Sequence, residues 1–228
     1  MERISQVIEN YDKLLADVCE RSSGKASLVL ASKTVEQGVL RALAEARPGV
    51  VYGENKVQEL LSKYFEADGL VWQFIGRLQT NKVKYIVDKV DLIQSVDSLR
   101  LAEEIEKRSA KIGKVMNVLI EVNVGNEESK GGVSEEELFP LLSEIEKMPH
   151  LKVKGLMSVL PNEDEESLLP LYARLRELFE KAKEIKAENF DVTILSAGMS
   201  GDYPIALKNG SNMVRIGSAV FGARFYAK

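Results

Sequence analysis

The chain has 228 residues, 45% hydrophobic and 29% charged, a globular balance that excludes a disordered or collagen-like polypeptide. Its 31 Lys and Arg are outnumbered by 35 Asp and Glu for a net charge of −4, and the basic residues are spread along the chain, which argues against a nucleic-acid footprint. No apolar run approaches the roughly 18 residues that span a bilayer, and one cysteine (Cys19) with one histidine (His150) excludes an internal disulfide or a multi-histidine metal site, so a soluble cytoplasmic protein held by packing is expected.

The first segment places Ile4, Val7, Ile8, Tyr11, Leu14 and Val18 on one stripe and reads as a helix. Its charges, from Glu2 to Glu20, speak against a targeting segment. Eight runs rich in β-branched and apolar residues follow as strands: Ser27–Lys33, Val50–Asn55, Val71–Gly76, Leu92–Asp97, Val115–Val124, Val153–Val159, Thr193–Gly198 and Met213–Gly217. Amphipathic stretches lie between them. From Ser98 to Ile112, Lys and Arg accumulate late and Gly113 stands just past the end, as dipole and C-cap chemistry favour. Ser134-Glu-Glu-Glu137 spells a capping box, but Pro140 would fall inside the helix it opens, so a separate turn is expected. Glu163–Glu166 reads as a solvated helix start, and Pro170–Lys186 repeats Leu171, Leu175, Leu178, Ala182 and Ile185 at helical spacing. With no linker interrupting the alternation, the expected fold is α/β: a single (β/α)8 TIM barrel domain over residues 1–228 with an extra N-terminal helix. An open doubly wound sheet is the runner-up.

In such a barrel the C-terminal strand ends converge on the face that carries active sites. Lys33 ends an apolar strand, where desolvation would lower its pKa and free the amine as a nucleophile toward aldehydes; a lysine snorkelling outward is the plainer reading. The loops Leu195–Asp202 and Val214–Ala219 carry Gly and Ser where barrels build phosphate sites, although tight turns alone would also use them. Together they describe a site for a phosphorylated aldehyde, with Arg215 as a fixed cation beside it. Lys130 reads as a solvated loop lysine, His150 as exposed, Cys19 as structural, and no metal site is found.

The segments Val29-Leu-Ala-Ser-Lys-Thr34, Gly53–Glu59, Phe74–Lys82, Glu121–Gly131, Gly155-Leu-Met157, Ser196–Asp202 and Val214-Arg-Ile-Gly217 occur in order over essentially the whole chain. In these the chain resembles the pyridoxal phosphate homeostasis protein family, also called YggS or PROSC, which is similar to the barrel domain of alanine racemase. The resemblance implies that pyridoxal 5′-phosphate is held as an imine of Lys33, with Arg215 facing the pyridine nitrogen, Ser200, Gly217 and Ser218 on the phosphate, and Asn55 near the ring. It implies a role in vitamin B6 homeostasis with no established turnover, and PLP-dependent apoenzymes as recipients of the cofactor. Gln73 stands where members usually carry His, and Ala197 where Met is common. A racemase-like enzyme is the alternative; it needs a second proton donor, for which Tyr52, Tyr203 and Tyr226 are the candidates. A class I aldolase ranks behind both. No nucleic-acid or membrane partner is expected, and charged outward helices point to a monomer.

Overall fold

The computed structural model describes residues 2–125, 127 and 130–222. Helix α1 (Glu2–Ser22) leads into eight parallel strands: β1 (Ser27–Ala31), β2 (Val51–Glu54), β3 (Val71–Phe74), β4 (Leu92–Val96), β5 (Met116–Glu121), β6 (Leu151–Met157), β7 (Phe190–Ser196) and β8 (Met213–Ile216). They close in chain order, with β8 pairing back onto β1 in the register Ser27–Met213 to Leu30–Ile216. Helices α2 (Gln37–Ala46), α3 (Val57–Lys63), α4 (Leu99–Lys111), α5 (Glu135–Ile145), α6 (Glu165–Lys183), α7 (Tyr203–Lys208) and α8 (Ser218–Phe221) follow the strands, and a short 3-10 segment, Thr80–Tyr85, takes the place of a helix after β3. The fold is the (β/α)8 barrel with its extra N-terminal helix.

Alternation along each strand builds two layers of core. Val29, Ile75, Leu92, Leu119, Met157 and Met213 pack together inside the barrel. Their outward-facing neighbours, such as Leu28, Leu30, Tyr52, Phe74 and Ile93, join the apolar stripes of the helices in a second, larger cluster. The stripe read on α1 is seated as expected, with Val7, Tyr11, Leu14 and Val18 buried. This helix packs against α2, α7 and α8.

Two sequence expectations are corrected. The strands end earlier than their apolar runs imply, so that Lys33 lies in the turn after β1 and Asn55 just beyond β2. Ser134 opens α5 directly with a complete capping box, and the helix continues through Pro140. Pro140 is exposed, as is Glu136, whose carbonyl it leaves without an N–H partner, so the break in the helical ladder falls on the solvent face. Helix α6 opens within Glu163–Glu166 as read, capped by Asp164, whose carboxylate accepts from the Ser167 N–H, and it runs through Pro170. Cys19 is exposed, and His150 is half-buried with Nδ1 2.8 Å from Glu106 of α4.

Candidate functional site

Where the ends of β1, β7 and β8 meet, a cavity of about 580 Å³ opens, lined by Lys33, Ser200, Arg215, Gly217 and Ser218 together with Thr34, Glu36 and Met199. Arg3 of α1 and Phe221 of α8 complete its rim. Five of the six residues singled out from sequence therefore share one cavity. Asn55 is not among its lining residues; it is half-buried, and its side-chain Oδ1 is buried without a hydrogen-bond partner among the described residues.

Local chain geometry explains how these groups arrive. At Gly217 the end of β8 passes so close to β1 that a Cβ would lie 2.7 Å from the Ala31 carbonyl oxygen, so a side chain there would push the following Ser218 away. Gly198 adopts φ +100°, which favours glycine and turns the chain from β7 toward α7. The result brings together a hydroxyl from the β7–α7 loop and one from the first turn of α8: Ser218 Oγ donates to Ser200 Oγ at 2.9 Å. Both residues are exposed, as a site loaded from solvent requires.

Arg215 is only 5% exposed. Its Nη1 donates to Ser196 Oγ at 2.6 Å and its Nη2 to the Ser158 carbonyl at 2.8 Å. Ser196 in turn donates to Gln94 Oε1 (2.7 Å), and Gln94 Nε2 donates to Gln73 Oε1 (2.6 Å). A neutral hydrogen-bonded chain thus crosses the barrel interior from β3 through β4 and β7 to the cation on β8. Gln73, the departure noted from the family pattern, is the buried far end of this chain rather than a group at the open mouth. Burial lowers the Arg215 guanidinium to about 10, against the pull of Glu121, Asp202 and Tyr172. It is therefore still a cation at neutral pH. Burial raises Glu121, at the end of β5, to about 7, with Asp97 adding to the shift and Arg215 and Arg77 opposing it.

A second polar cluster backs the Lys33 turn. Lys63 of α3, with 9% of its side chain exposed, donates to Glu54 Oε2 at 3.0 Å, to Glu59 Oε2 at 2.8 Å and to the Ser32 carbonyl at 2.9 Å. Neither this cluster nor the Gln73–Gln94–Ser196 chain was found from sequence. The inward parity of Gln73, Gln94, Ser196 and Arg215, and the spacing of Glu59 and Lys63 on one helix face, were the available signals.

The tyrosines weighed as second proton donors lie elsewhere. Tyr52 is fully buried and donates to the Leu40 carbonyl, and Tyr203 donates to Asp17 of α1; Tyr226 lies outside the described residues. Among the described residues no tyrosine lines the cavity, Lys130 does not line it, and no His, Cys, Asp or Glu group is arranged to hold a metal ion. Asn126, Glu128 and Ser129, within the motif Glu121–Gly131, also lie outside the described residues.

The family profile described as alanine racemase, N-terminal domain, matches residues 9–225. A pyridoxal phosphate homeostasis protein of Aquifex aeolicus is 46% identical over 232 residues, covering 99% of this chain and 98% of that protein. Another of that name from Haemophilus influenzae is 37% identical, covering 91% and 89%. Among solved structures, PipY of Synechococcus elongatus with PLP bound superposes with a TM-score of 0.82 at 27% identity, covering 95% of this chain and 100% of that one.

Proposed function

Because the chain belongs to the alanine racemase N-terminal domain family and, within it, to the pyridoxal phosphate homeostasis proteins, we propose that Lys33 holds pyridoxal 5′-phosphate as an imine, in a single barrel domain that stores the cofactor and releases it. The protein binds pyridoxal phosphate and takes part in its homeostasis. One observation carries the site assignment: Lys33, Arg215, Gly217 and the paired hydroxyls of Ser200 and Ser218 converge on one cavity at the C-terminal face of the barrel. The donor set fits the cofactor, with an amine for an aldehyde, hydroxyls for a phosphate and a fixed cation for a ring nitrogen. The unpartnered Asn55 Oδ1 supplies a buried acceptor close to the ends of β1 and β2.

When bound, the cofactor supplies an aldehyde and an electron-withdrawing pyridine ring. Lys33 contributes the amine, which bonds to the aldehyde carbon with loss of water. Ser200 and Ser218 offer hydroxyls to the phosphate. Arg215, a buried cation already satisfied by Ser196 and Ser158, is assigned to the pyridine nitrogen. A permanent positive charge there disfavours ring protonation, which weakens the ring as an electron sink and suits holding over turnover. The racemase alternative loses Tyr52 and Tyr203 as proton donors, since both phenols are committed outside the cavity. No helix among the described residues is long and apolar enough to cross a membrane. We read the protein as a cytoplasmic monomer whose partners, beyond the cofactor, are PLP-dependent apoenzymes.

The test is the visible spectrum of the protein mixed with pyridoxal phosphate, followed by borohydride reduction and peptide mass, for wild type and Lys33→Ala. A visible band in wild type, fixed by reduction onto the peptide carrying Lys33 and missing in the variant, is expected. Equal behaviour of the two proteins would refute the assignment.

A further inference from the structure

The residues on either side of Lys33 are held far more tightly than a surface turn requires. Every polar group of Ser32 is engaged. Its N–H donates to the Gly53 carbonyl (2.9 Å), its hydroxyl donates to Glu54 Oε2 (2.9 Å), and its carbonyl accepts from Lys63 Nζ (2.9 Å). On the other flank, Thr34 has φ +65°, a left-handed conformation that a β-branched residue adopts only when its surroundings impose it. What imposes it is visible: the Thr34 N–H donates to Glu59 Oε2 at 2.8 Å, and the Val35 N–H closes the turn onto the Ser32 carbonyl at 3.0 Å.

The two flanks share one anchor. Glu59 Oε2, which accepts from Thr34, also accepts from Lys63 Nζ, and Lys63 bonds to both Glu54 and the Ser32 carbonyl. Glu54 is fully buried, and its second oxygen accepts the Asn55 N–H at 2.8 Å. Burial alone would raise the Glu59 carboxyl, but the hydrogen bonds from Lys63 and Thr34 and the charges of Lys63 and Lys56 hold it below the ordinary carboxylate range. It is thus an anion over the whole neutral range.

We propose that Glu54, Lys63 and Glu59 form a positioning device for Lys33, gripping Ser32 and Thr34 so that the intervening lysine is presented to the cavity from a strained, fixed turn. None of the three lines the cavity; they act through the backbone of the turn. The proposal deepens the functional reading above and rests on it. Strain held at a functional turn lowers the ordering cost when the amine forms its bond.

Glu59→Ala tests the device with the least damage to the fold, because it leaves Lys63 paired with Glu54 and releases the Thr34 N–H to water. Rapid mixing with saturating pyridoxal phosphate is expected to show the Lys33-linked band forming about tenfold more slowly than in wild type. Hydrogen exchange of the cofactor-free protein is expected to show lost protection over residues 32–35 and unchanged protection in β3 to β6. Glu59→Gln, whose amide oxygen can still accept from Thr34, is expected to recover most of the rate. The double variant Lys63→Met with Glu54→Gln, which removes the buried charges together, is expected to slow linkage at least as much as Glu59→Ala. Linkage at the wild-type rate in Glu59→Ala and in the double variant, with wild-type protection of residues 32–35, would overturn the positioning role while leaving the cofactor site intact. Absence of any Lys33 linkage in wild type would instead overturn the functional reading, and the positioning role with it.

Discussion

Two basic residues at the barrel mouth are held by opposite means. Arg215 is gripped at its own charged head by neutral groups inside the barrel, the Ser196 hydroxyl and the Ser158 carbonyl, with Gln94 and Gln73 extending the chain behind them. The turn of Lys33 is gripped at its neighbours, by a charged cluster outside the barrel wall between β1, β2 and α3. Fixing the head keeps a charge in place without neutralising it, which suits a group whose task is to remain a cation. Gripping the flanks fixes the backbone instead, so that a bond made at the Lys33 amine breaks none of the hydrogen bonds of the clamp. Under the proposed function, the two holds match two tasks, an electrostatic one for Arg215 and a covalent one for Lys33.

Substitutions that break each hold are expected to differ in size and sign. The largest effect belongs to Lys63→Met alone, which strands a fully buried Glu54 and the partly buried Glu59 without their cation. Urea unfolding is expected to show a loss of about 3–5 kcal/mol, the scale for removing one partner of a buried pair. A loss below about 1 kcal/mol would mean that the cluster is not a tightly coupled unit.

Next comes Glu121, which sharpens the comparison because it is the carboxylate whose charge pulls most on Arg215. Between the ordinary carboxylate value and about 7, the folded protein keeps a proton that the unfolded chain has released. Stability therefore falls as pH rises through that window, by roughly 3 kcal/mol at 1.4 kcal/mol per pH unit. Glu121→Gln is expected to flatten that slope, with little effect at pH 5 and a gain of about 2–3 kcal/mol at pH 8 in urea unfolding. A slope that persists in the variant would place the titrating group elsewhere.

The neutral chain is expected to cost less to break than the charged cluster. Gln94→Ala leaves the Gln73 amide oxygen without its donor and the Ser196 hydroxyl without its acceptor, a loss of about 1–3 kcal/mol at the scale of buried unsatisfied groups. Smallest is Arg3→Ala at the cavity rim. Its 3.6 Å pair with Glu36 is well exposed on both sides, and thermal unfolding is expected to shift by less than about 0.5 kcal/mol.

The barrel itself was legible in the sequence because parallel strands buried on both faces read as short apolar runs, and all eight appeared in order. The cavity was legible too, since Lys33, Ser200, Arg215, Gly217 and Ser218 all stand at or just past strand ends, where a barrel concentrates function. Strand ends were not, because an apolar run does not say where its neighbour stops pairing: Lys33 left the ladder two residues early. Pro140 was read as a break because its cost inside a helix was weighed without knowing that it faces water. The Gln73–Gln94–Ser196 chain joins residues from three strands, and which inward side chains meet depends on register across the closed barrel, which no single strand encodes. Glu59 and Lys63 stand at helical spacing, which by itself does not distinguish a buried pair from a surface one. Only the placement of Glu54 opposite α3 draws Lys63 inside and Glu59 partly so.

The most direct measurement is the crystal structure of the protein with pyridoxal phosphate. Density continuous from the Lys33 amine into the cofactor is expected, with the phosphate between the Ser200 and Ser218 hydroxyls and the Arg215 guanidinium at the ring nitrogen. Cofactor bound to another lysine, or seated away from the β1, β7 and β8 ends, would contradict the assignment.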